Sequence, residues 1–163
     1  MRLVRLIFWS ALMLVIMNGC FRGEIDDVKP GIDMVGAAAF PQQCDTIWFG
    51  EPFVFSAVFS DNMALGSYSI DIHNNFDHHS HTTEVNVCAL GEEKEPVNPF
   101  QFTEEYEIPA GLAEWDPRQE LTFPVSDGEG RFDAGDYHFM IRVTDHEGWS
   151  AQKGLSIKIL HRD

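Results

Sequence analysis

Residues 135–160, GDYHFMIRVTDHEGWSAQKGLSIKIL, restrict the fold of this chain more than any other stretch. Tyr137, Phe139, Ile141 and Val143 alternate with His138, Met140, Arg142 and Thr144. Successive side chains of a strand point to opposite faces, so a period of two specifies an amphipathic strand and excludes a helix. Turn formers from Asp145 to Gly148 separate this run from a second one, which makes a hairpin of two long strands. A hairpin is stable only when another layer covers its apolar face.

Further short runs supply that layer. PFVFSAVFSDN places Phe53, Phe55, Ala57 and Phe59 on one face, and SYSIDIH separates Tyr68, Ile70 and Ile72 from Ser69, Asp71 and His73. HTTEVNVCAL, FQFTEEYEIP and QELTFPVSD are three more strand candidates, while the charges and prolines of GEEKEPVNPF mark a loop. PAGLAEWDPRQE holds at most a turn of helix, and Trp48, Trp115 and Trp149 read as core or edge residues. About seven short strands with turn residues between them predict an all-β domain, an antiparallel two-sheet sandwich of immunoglobulin-like type.

The N-terminus carries a different signal. Arg2 and Arg5 precede an apolar run from Leu6 to Met17, followed by Asn18, Gly19 and Cys20. That run is too short to span a bilayer and has the layout of a signal peptide. Gly19 before Cys20 resembles the lipobox of bacterial lipoproteins, which implies cleavage at residue 19 and lipidation of Cys20; Met17 departs from the Leu preferred three positions before the cysteine. The alternative is ordinary secretion with Cys20 unmodified. FRGEIDDVKPG offers no apolar face to bury and reads as a tether. Its acids resemble the surface-export signal of Bacteroides-type lipoproteins, although a generic solvated linker has the same composition. The expected organisation is a signal peptide over 1–19, a lipidated cysteine and acidic tether over 20–32, and the sandwich over 33–163. Acyl chains on Cys20 would hold the protein on the outer membrane, at the cell surface or on the periplasmic face.

Loss of Arg2 and Arg5 with the signal takes the formal charge from -15 to -17. So acidic a surface repels phosphate backbones, which excludes nucleic acid as a partner and leaves cations, basic peptides and neutral glycans. With Cys20 assigned to lipid, Cys44 and Cys88 remain in an oxidising compartment, and a disulfide between them stabilises the fold by roughly 4 kcal/mol in the chain-entropy model. The competing use of Cys88 is a Cys/His metal site.

DIHNNFDHHSH, residues 71–81, contains four of the seven histidines, His73, His78, His79 and His81. Imidazoles bind zinc, copper and nickel when three or four converge. Adjacent His78 and His79 cannot both point inward in a regular strand, so His78 is the weakest of the four. If strands 68–73 and 137–144 are neighbours, Asp71, His73 and His138 share a face, and the loop brings His79 and His81 to them. Asp71 is then a ligand or an orienting partner, and His146 in the adjoining turn is a further donor. The alternatives are a solvated turn rich in His and a calcium site drawn from Asp61, Asn62, Asp71 and Asp145, for which the D-x-[DN]-x-[DN]-G loop pattern is missing.

The lipobox, VFSDNMALGSYSIDIHNNFDHHSH, Cys88 and FPVSDGEGRFDAGDYHFMIRVTDHEGWSAQKGLSIKI together resemble DUF4625, a family of Bacteroides-type lipoproteins with no assigned activity. The resemblance runs from about Pro41 to Ile159 and implies an exported, immunoglobulin-like domain. G-x-S-x-G, G-x-x-x-x-G-K and H-E-x-x-H are all missing, so the expected function is non-enzymatic binding of zinc or copper through the His-rich loop. The second expectation, from a different class, is an accessory lipoprotein that binds a glycan or a protein and in which the histidines are bystanders.

Overall fold

The alternation in residues 135–160 forms the centre of the molecule. In a computed structural model, which describes residues 25–36, 38–80 and 88–162, β9 (Gly135–Asp145) and β10 (Ser150–Leu160) pair antiparallel through a turn in which Gly148 adopts φ 95°. β5 (Leu65–Asn74) lies on the other side of β9, and β6 (Phe102–Glu107) lies outside β5. β2 (Thr46–Trp48) closes the far edge beside β10 and completes a five-stranded sheet in the order β2-β10-β9-β5-β6. Two small sheets accompany it. β1 (Gly31–Asp33), β4 (Val58–Ser60) and β7 (Glu114–Trp115) form one, and β3 (Pro52–Phe55) with β8 (Gln119–Thr122) forms the other.

The fold is all-β, with no helix among the described residues. It departs from the expected architecture in two respects. Among the described residues ten strands lie in three sheets, where the sequence predicts about seven strands in two sheets, and the large sheet is mixed because β2 runs parallel to β10. One alternating run, 52–60, becomes two strands. Phe55, Ala57 and Phe59 share the buried side as predicted, but Ser56 pairs with Phe40, so the backbone changes partner between β3 and β4. HTTEVNVCAL lies mostly outside the described residues, and so does the signal segment with Cys20.

Burial explains the arrangement. Tyr68, Ile70 and Ile72 of β5 and Tyr137, Phe139, Ile141 and Val143 of β9 form one face of the core. Phe55 and Phe59 from the smaller sheets cover it, with Phe55 stacked on Phe139 at 5.8 Å and Phe59 tilted on Tyr68 at 5.2 Å. Each such ring removed from water contributes roughly 2–3 kcal/mol. The expected disulfide is present between Cys44 and Cys88, and Ser156 of β10 accepts from Cys44 N at 2.8 Å. On the opposite face of β9, Asp136, His138 and Met140 are buried as well, whereas Arg142 is exposed.

All three tyrosines of the chain lie in or against this core. Burial raises the Tyr68 and Tyr106 phenols above their usual value of 10.0 and pushes Tyr137 up to about 12. Tyr137 also donates to Asp133 O at 2.6 Å and accepts from Phe100 N at 3.2 Å. Folded-state values above the unfolded one mean that this stability is complete below pH 10 and is lost as pH rises toward about 12. The expected result is little phenolate absorbance from folded protein near pH 10, where free tyrosine is about half ionised. Full phenolate absorbance at that pH with the near-ultraviolet circular dichroism intact would contradict this packing.

Candidate metal centre

β5 and β9 put two imidazoles side by side. Their register pairs His73 with His138, and the ring centroids stand 5.2 Å apart. His138 is fully buried, on the face of β9 opposite to Phe139. The third ring comes from the loop after β5. Asn75 N donates to Asp136 O, extending the pairing by one residue, and Phe76 drops into the core against Tyr137. His78 then adopts φ 55°, a left-handed conformation that His enters more readily than most side chains. The turn separates the adjacent histidines. His78 faces Glu93 at 3.5 Å and Asp136 at 4.0 Å, whereas the His79 ring lies 4.7 Å from His138 and 5.8 Å from His73.

His73, His79 and His138 thus each present a ring nitrogen, and these nitrogens lie within 4.8 Å of one another. Two of the rings are held by carboxylates. His73 Nδ1 meets Asp71 Oδ1 at 2.8 Å, and Asp71 Oδ2 in turn accepts from Thr103 Oγ1 at 2.8 Å. His79 Nδ1 meets Asp77 Oδ1 at 2.5 Å, a bond that holds the Asp77 carboxyl below the usual carboxylate range. An ionised carboxylate only accepts, so each Nδ1 carries a proton, and in the neutral ring the lone pair a metal would take lies on Nε2. Carboxylates in this position fix the tautomer and raise the basicity of a ligating imidazole.

Of the residues singled out in the sequence, His73, His79 and His138 converge and Asp71 orients one of them. His78 turns toward Glu93 and Asp136, and His146 is exposed in the β9–β10 turn beside Glu147. His81 and Cys20 lie outside the described residues. Cys88 is committed to its disulfide and leaves the Cys/His alternative without a thiolate. Asp77 and Thr103 were missed. The signal for Asp77 was present as a repeat, since Asp71-Ile72-His73 and Asp77-His78-His79 both read D-x-H.

These hydrogen bonds specify a spectroscopic outcome. Nitrogen-15 shifts of the neutral rings should place the proton of His73 and His79 on Nδ1, and Asp77→Asn should shift His79 toward the Nε2–H form. A wild-type His79 protonated on Nε2 would contradict the geometry.

Comparison with known proteins identifies a family of unknown function. No curated protein matches the sequence. A family model described as a domain of unknown function, DUF4625, matches residues 19–160. With nearly the whole chain inside that match, the protein belongs to the DUF4625 family.

Proposed function

We propose that this DUF4625 protein is an exported lipoprotein that binds zinc or copper, without catalysis, through His73, His79 and His138. The observation that carries the reading is the convergence of three imidazole nitrogens within 4.8 Å, two of them from rings backed by Asp71 and Asp77. A zinc site with bonds of about 2.0–2.1 Å sets tetrahedral ligand nitrogens roughly 3.4 Å apart, so binding draws the rings together by at most about 1.4 Å. His79, on a loop, supplies that movement. Water takes the fourth position. Imidazole suits both zinc and copper, and acid releases either metal because the ligand must be neutral.

In this reading Cys20 bears the lipid and holds the domain on the outer membrane, at the cell surface or on the periplasmic face. The domain is an immunoglobulin-like sandwich whose second layer is split between the β1-β4-β7 and β3-β8 sheets. Packing of Phe55 and Phe59 onto the five-stranded sheet supports that description.

The test is calorimetric titration of full-length protein, purified in detergent without a histidine tag, with zinc and with copper. One equivalent should bind at neutral pH. Replacing the loop-borne ligand, His79→Ala, should weaken binding at least tenfold with the metal-free melting temperature unchanged, and Asp77→Asn should weaken it roughly 10- to 100-fold. Binding should fade in acid, because a ligating imidazole must be neutral. Absence of stoichiometric binding, or equal affinity in His79→Ala, rejects the site and returns the histidines to a polar loop.

A further inference from the structure

The other end of the β5–β9 pair gathers carboxylates. β9 ends at Asp145, whose register partner is Leu65, and a register shift at Gly66 brings the two backbones close. A Cβ on Gly66 would lie 2.8 Å from Asp145 O, so the approach requires glycine. Asp61 stands just before β5, in the turn after β4, and Asp26 arrives from the segment ahead of β1. Asp26, Asp61 and Asp145 each offer a carboxylate oxygen, and these oxygens lie within 4.8 Å of one another.

Exposed acids often cluster without consequence, but two of these three are buried. Asp145 is 4% exposed and Asp26 is 7% exposed, although the composition around Asp26 had indicated a solvated tether. Each carboxylate is fixed on one side by donors. Asp145 Oδ1 accepts from Trp149 N at 2.8 Å, Asp61 Oδ2 accepts from Met63 N and Ala64 N at 2.8 Å, and Asp26 Oδ1 accepts from Asn62 Nδ2 at 3.0 Å and Val28 N at 3.1 Å. What remains decides the matter. Asp145 Oδ2 and Asp61 Oδ1 are buried with no hydrogen-bond partner among the described residues, and no Lys or Arg there pairs with any of the three acids.

Bare, buried carboxylate oxygens gathered this closely cost several kcal/mol unless a cation or protons neutralise them. We propose that Asp26, Asp61 and Asp145 form a calcium site. The donor set is all oxygen, which favours a hard divalent cation over the metals that imidazole selects. Calcium takes six to eight oxygens, and a surface depression that Asp26 borders with Ala64, His146 and Glu147 would give water a route to the rest of the shell from the Asp26 side. The site joins three distant segments. A bound ion fastens the stretch before β1 to the β4–β5 turn and the β9–β10 hairpin. Of the residues considered for calcium from sequence, Asp61 and Asp145 belong to the site, Asn62 buttresses Asp26, and Asp71 serves His73 at the opposite end.

Trp149 provides a reporter, because its Nε1 donates to Asp26 O at 3.1 Å and its backbone N holds Asp145. Terbium titrated into the full-length protein in detergent should give a saturable, one-equivalent luminescence under indole excitation, and calcium should displace it. Asp61→Asn and Asp26→Asn should each weaken terbium and calcium at least tenfold, with folding checked by circular dichroism. His79→Ala should leave every one of these readings unchanged, which separates this site from the imidazole site. No saturable terbium signal in wild-type protein overturns the proposal, and so does an affinity indifferent to both carboxamide variants.

Discussion

The register of β5 on β9 is the constraint on which the rest of the molecule depends. It is fixed by burial, since Tyr68, Ile70 and Ile72 must face the same way as Tyr137, Phe139, Ile141 and Val143. A slip of one residue would turn those side chains to the other face and expose several large hydrophobic groups at once. His73 and His138 take no part in that energetic decision. Their proximity is inherited from the apolar residues that alternate with them, and so a site of polar rings is held in place by hydrophobic packing on the opposite side of the same strands.

The same register sets the distance between the two ends of the pair. His138 and Asp145 are seven residues apart on one strand, roughly 23 Å at about 3.3 Å per residue. One end presents imidazole nitrogens and the other carboxylate oxygens. Ligand softness separates the ions that each end suits, and the length of an ordinary strand keeps one ion from neutralising the ligands of the other.

Legibility in the sequence followed the range of the interactions involved. The pairing of His73 with His138 was readable because both lie in long, strictly alternating runs. The preference for His79 over His78 was readable too, from their adjacency, but the left-handed turn at His78 that parts them was not, because no periodicity encodes it. Thr46–Trp48 is too short to announce a strand, still less a parallel one, and its place beside β10 is decided by tertiary contact. Asp26 is held by distant partners, Trp149 lying 123 residues away and Asn62 36, so composition alone described that segment as solvated. The run from Phe53 to Phe59 showed its buried face correctly and concealed its change of backbone partner at Ser56.

The disulfide has a topological consequence. Cys44 and Cys88 close a covalent ring that contains β2, β3, β4, β5 and the loop bearing His79. A single peptide cleavage inside that ring does not divide the molecule, because the two pieces remain linked through sulfur. The part of the chain that displays its ring-bearing loop outward is also the part that survives a nick as one connected object, and two cuts are needed to release a fragment.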